Sequence, residues 1–107
     1  MPRGREDEAE AFYAGILGLA VRPKPEQLAT RGGRWFEDGA VKLHLGIEED
    51  YRPLEKSHPA LVVEGLDGLV IALGEAGYAV RWDSELAGVR RCYVKDPFGN
   101  RIELIES

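Results

Sequence analysis

GLAVR at residues 18–22 and GYAVR at residues 77–81 are near-copies lying 59 positions apart, and the offset runs on from there without a gap. Trp35 then falls on Val94, Leu43 on Ile102, His44 on Glu103 and Leu45 on Leu104. Apolar positions meet apolar positions, and the two ionisable positions meet each other. A repeat spanning half of a chain confines the fold to two copies of one supersecondary unit, related by a pseudo-twofold axis, with matched positions facing a shared cleft. At 107 residues the chain suits a single domain, 1–107, built from units 1–47 and 58–107.

Each copy reads as a helix followed by three strands. Residues 6–17 (EDEAEAFYAGIL) carry acidic residues in the first turn and apolar ones at Ala9, Phe12, Tyr13 and Ile16, the spacing of an amphipathic helix that stops at Gly18. Strands follow at LAVRP, GRWFED and AVKLHLGI. The second copy opens with a strand, HPALVVE, before helix LDGLVIALGEA (66–76), strands YAVRW and GVRRCYV, the DPFG turn and a closing strand. MPRGRED, at the corresponding place in the first copy, has no strand pattern. The expectation is an α+β fold of two βαβββ units, the first lacking its opening strand, with seven strands and two main helices in a mixed sheet curled around a cleft. Leu69, Leu73 and Ala76 should be buried together over Ile102 and Leu104.

Composition narrows the function. A formal net charge of -5 speaks against a nucleic-acid surface, since Arg90–Arg91 is the only basic pair. No apolar run approaches the roughly 20 residues of a membrane span, and the charged start is unlike a signal peptide, so the expected location is cytoplasmic. Cys92 is the sole cysteine and reads as a packed hydrophobe in a strand.

The closing stretch DPFGNRIELIE (96–106) places Glu103 between Ile102 and Leu104. Alternation along a strand turns Glu103, Arg101 and Ile105 away from the face that carries Ile102 and Leu104. A solvated sheet face accounts for that without any function, and from the strand alone it is the favoured account.

AFYAGILGL, DPFGNRIEL and the repeated unit together resemble the vicinal oxygen chelate superfamily, which includes glyoxalase I, extradiol dioxygenases, fosfomycin-resistance thiol transferases and bleomycin-resistance proteins. The resemblance covers nearly the whole chain. It implies metal ligands on the first and last strands of the units: His58 opening the second unit, Glu103 on its last strand and His44 on the last strand of the first. The first unit's opening ligand is missing together with its strand. It also implies a homodimer, because members of this size are usually dimers and a bare sheet edge recruits another chain.

Two imidazoles and a carboxylate suit Fe(II), Mn(II), Ni(II) or Zn(II), with open positions for adjacent substrate oxygens and Glu103 as the catalytic carboxylate. Donor atoms on one ion should lie within about 4.5 Å of each other. Glu103 beside protonated histidine is expected to titrate low. Alternation and the repeat nominate Arg34, Phe36, Lys42, Arg91 and Tyr93 as small-molecule contacts, suited to an aromatic or carboxylated compound. Trp35 and Trp82 read as core. The loop 48–57, with Tyr51 at its tip, could close over the cleft and reads more simply as a linker between units. Three functions compete: a metal-dependent lyase, isomerase or dioxygenase on a small oxygenated molecule; a metal-free binding protein of the bleomycin-resistance type; and a chain that begins late and lacks its first strand.

Overall fold

A computed structural model describes all 107 residues. The chain divides into two compact units, Met1–Arg52 and Pro53–Ser107.

In the first unit, α1 (Glu6–Ala9) continues without a break into a π-helical stretch (Glu10–Ile16). There the Leu17 amide donates to the Phe12 carbonyl at 3.0 Å, a reach of five residues that widens the turn. Three strands follow: β1 (Ala20–Arg22), β2 (Arg34–Asp38) and β3 (Val41–Leu45), antiparallel in the order β1-β2-β3. A short helix absent from the sequence expectations, α2 (Glu26–Ala29), interrupts the link between β1 and β2. The core is aromatic. Phe12 and Tyr13 meet edge to face at 4.9 Å, Tyr13 lies 5.4 Å from Phe36, and all three are buried.

In the second unit, β4 (Ala60–Val63), α3 (Leu66–Glu75), β5 (Val80–Asp83), β6 (Arg91–Lys95) and β7 (Arg101–Glu106) form a mixed sheet in the order β4-β7-β6-β5. β4 runs parallel to β7, and the other pairs are antiparallel. Leu66, Leu69, Val70 and Leu73 form the i, i+3, i+4, i+7 stripe of α3. Leu66 and Leu73 are fully enclosed, as are Cys92, Ile102 and Leu104 on the strands. Each such leucine contributes on the order of 1.5–3 kcal/mol by leaving water. Ala76, expected in this cluster, is exposed, because α3 ends there: Gly77 (φ +92°) turns left-handed, its amide bonds the Gly74 carbonyl, and the Tyr78 amide reaches back to Leu73. Trp82, expected in the core, is 45 % exposed, with the Arg90 guanidinium 4.4 Å above its ring.

The α+β architecture and the missing opening strand match the sequence expectation. β4 has no counterpart in the first sheet, so β3 is an edge, and the Met1 carbonyl accepts from the Glu48 amide beyond its end. The gapless repeat needs one correction. Val21 pairs with Phe36 and Val80 with Val94, so Phe36, not Trp35, is the counterpart of Val94. Over β2 the offset is 58, and it returns to 59 on β3, where Leu43 still matches Ile102. The first unit has one extra residue between β1 and β2, and the second unit has one extra in the turn before its last strand. That slip turns β2 over. Arg34 and Phe36 lie on the helix-facing side, while Trp35 shares a face with Lys42 and His44.

Candidate functional site

The face of the second sheet that points away from α3 carries His58, Arg91, Tyr93, Glu103, Arg81, Asp83 and Arg101, as the alternation of β5, β6 and β7 requires. Parallel pairing brings His58 to this group: the Glu103 amide donates to the Pro59 carbonyl at 3.0 Å, setting the residue before Pro59 beside Glu103. The DPFG turn fixes the other end of β7. Asp96 accepts from the amides of Phe98 (2.9 Å) and Asn100 (2.8 Å) and from the Asn100 side chain (2.8 Å), while Gly99 takes φ +87°.

Glu103 is 7 % exposed, and both of its oxygens are engaged. Oε1 lies 2.9 Å from His58 Nε2, and Oε2 accepts from Arg91 Nη1 at 3.2 Å. The second arm of Arg91 donates to Asp83 Oδ2 at 2.5 Å, and its Nε is buried without an acceptor. The other ring nitrogen of His58, Nδ1, is 2.8 Å from the Lys56 carbonyl, which can only accept, so Nδ1 carries a hydrogen. The result is a chain of alternating charge: His58, Glu103, Arg91, Asp83.

These contacts hold the Glu103 carboxyl below its ordinary value, first through the hydrogen bond from His58 and then, against the opposing effect of burial, through Arg91. The low titration expected from the sequence is present, with Arg91 as the second cation. Asp83 is also held low, by the Glu85 amide first and by Arg91. Burial pushes the Cys92 thiol up, as a packed core residue requires.

Tyr93 stands beside this chain, its ring edge-on to His58 at 5.6 Å. Next to it opens a cavity of about 680 Å3 lined by Tyr78, Arg81, Tyr93, Lys95 and Arg101 among others.

Of the three expected metal ligands, the structure brings His58 and Glu103 within bonding reach of one another. His44 belongs to the first unit, exposed and stacked flat on Trp35 at 3.9 Å. No group of three or more His, Cys, Asp or Glu side chains is gathered as a metal site. Among the expected small-molecule contacts, Arg91 and Tyr93 lie at the site and Lys42 is exposed beside His44. Phe36 is a fully buried core residue, and Arg34 is turned to the helix, donating to Glu10 at 2.7 Å. The slip in β2 explains both corrections. Sequence reasoning missed Asp83, Arg81 and Arg101 as site residues: alternation along β7 sets Arg101 on the Glu103 face, whereas Arg81 and Asp83 reach it only through the pairing of β5 with β6.

The histidine and carboxylate fit a divalent ion in type and orientation. Nε2 and Oε1 converge, and Nδ1–H on a backbone carbonyl is the usual outer contact of a metal-bound histidine. Arg91 on the second oxygen of Glu103 shows that the same carboxylate is also neutralised within the chain.

No protein-family model and no curated protein matches the chain. Solved structures do. A glyoxalase family protein from Bacillus anthracis is 43 % identical over 100 % of this chain and 88 % of its own, with a TM-score of 0.94. The lactoylglutathione lyase of Agrobacterium tumefaciens (21 % identical, 95 % and 85 % covered, TM-score 0.72) shares the fold. So does the fosfomycin resistance protein FosX of Listeria monocytogenes (13 % identical, 94 % and 83 % covered, TM-score 0.75). No helix is long and apolar enough to cross a membrane.

Proposed function

Because the chain belongs to the glyoxalase family, we propose that it acts on a small oxygenated molecule at the Glu103 face, with His58 and Glu103 as ligands of a divalent metal. The observation that carries this reading is the 2.9 Å approach of His58 Nε2 to Glu103 Oε1, with the imidazole already oriented by the Lys56 carbonyl. When bound, such an ion supplies Lewis acidity for a carbonyl or a developing oxyanion. The chain's own residues do the rest. Arg91, clamped by Asp83, fixes the Glu103 carboxylate and keeps it ionised, and Tyr93 walls the cavity in which the molecule sits.

Metal analysis of protein purified without chelator or added metal tests the proposal. Bound Fe, Mn, Ni or Zn that is lost in His58→Ala supports it. Wild-type protein that neither carries nor takes up metal overturns it.

The engagement of Glu103 Oε2 by Arg91 favours a second reading, a metal-free binding protein of the bleomycin-resistance type, in which the carboxylate organises the pocket wall. We further propose a cytoplasmic homodimer, since β3 leaves one edge of its sheet without a partner strand. Sedimentation at micromolar concentration that returns a monomer refutes the dimer.

A further inference from the structure

The second unit has four arginines, and they divide into two kinds. Arg90 is paired with Asp67 and Glu106, and Arg91 with Asp83 and Glu103. Arg81 and Arg101 form no ion pair, although the Arg81 charge helps hold the Asp83 carboxyl low from a distance. Arg101 spends one donor on the Glu55 carbonyl and lays its guanidinium 4.0 Å from the centre of the Tyr93 ring. The Arg81 side chain makes no hydrogen bond, and its guanidinium is 5.5 Å from the same ring. Both line the 680 Å3 cavity, as does Lys95, which has no ion-pair partner. The acidic residues at the cavity are Glu55 and Asp96, and the Asp96 carboxylate is already consumed by the turn amides and Asn100. The second unit thus sets both of its arginines that lack an ion pair around one aromatic ring.

A guanidinium carries five N–H donors in a planar fork that matches the two oxygens of a carboxylate or phosphate. Stacking on Tyr93 holds the Arg101 fork in place and leaves its edge open. We infer that this cavity is an oxyanion subsite, in which Arg81 and Arg101 grip the carboxylate or phosphate group of the small molecule that the unit binds. The inference deepens the small-molecule reading and fixes its substrate class as anionic. It does not depend on a metal.

Inorganic phosphate and benzoate are the probes, titrated by calorimetry into full-length protein both as purified and after chelator treatment. Saturable binding of either anion in both preparations is expected. Phosphate alone marks a bare oxyanion site, and benzoate alone marks a carboxylate carried on a flat ring. Arg81→Gln and Arg101→Gln should each weaken binding roughly 10- to 100-fold, the loss of one or two charge-assisted hydrogen bonds. Arg90→Gln, outside the cavity, should bind as wild type. Thermal unfolding of each variant confirms its fold. Metal content of the two cavity variants should equal that of wild type, so the metal reading and this one fail separately. The subsite is overturned if neither anion saturates, if the double Arg81→Gln, Arg101→Gln variant binds as tightly as wild type, or if chelation alone abolishes binding.

Discussion

Replacing Glu103 by Gln keeps the shape of the side chain and removes its charge, which isolates what that charge does. In the native chain two donors, His58 Nε2 and Arg91 Nη1, converge on two acceptor oxygens. A glutamine offers one oxygen and one NH2. With the oxygen turned to Arg91, the NH2 can be received only by an unprotonated Nε2, which His58 can provide because its hydrogen then sits on Nδ1 against the Lys56 carbonyl. Both contacts survive in neutral form. A hydrogen bond to a charged group contributes about 1.5–3 kcal/mol and a neutral one about 0.5–1.5, so the substitution should cost roughly 2–3 kcal/mol. For a domain of this size that is a fall in Tm on the order of 10 °C.

The pH dependence has a definite sign. Glu103 titrates below its ordinary 4.5 in the folded chain, so its contribution is fully present above that value and is lost as the pH falls from there through the folded pKa. Denaturant unfolding of wild type and Glu103→Gln at pH 7, repeated down the acid range, should show a gap that closes as the pH drops. Equal stability at pH 7, or a gap that widens in acid, refutes the ionised Glu103 network.

Leu73→Ala, at a fully enclosed position of α3, should cost about 2–5 kcal/mol in chemical denaturation, while Ile71→Ala on the exposed side should cost far less. Gly33→Ala should destabilise the first unit by more than about 1 kcal/mol in thermal melts, because Gly33 has φ +83° and an added Cβ would stand 2.1 Å from the Leu45 carbonyl oxygen.

All seven strands and both main helices were legible in the sequence, because their signals are local: period-two runs bounded by glycine and proline, and the two glycines, Gly18 and Gly77, that end the helices with positive φ. The meeting of His58 with Glu103 was legible through the family resemblance. What stayed hidden depends on loop length and on pairing between strands. A gapless offset cannot register compensating one-residue changes, so it sent Phe36 to the wrong face. Composition cannot show that Arg91 would be the cation to take the second oxygen of Glu103, nor that Asp83 would hold Arg91 in turn. The brief helix at Glu26–Ala29 is too short to leave a periodic trace.

The slip in β2 has a consequence for how the two halves could diverge. Trp35 opposite His44 is the true counterpart of Tyr93 opposite Glu103. One residue more before β2 and one fewer after it keep each β2 side chain on the face of its counterpart while the count between the halves shifts from 59 to 58. A chimera that grafts one half's strand onto the other must therefore count 58 across residues 34–38 and 59 on either side. Counted uniformly, it would bury Trp35 and strand Phe36 in water.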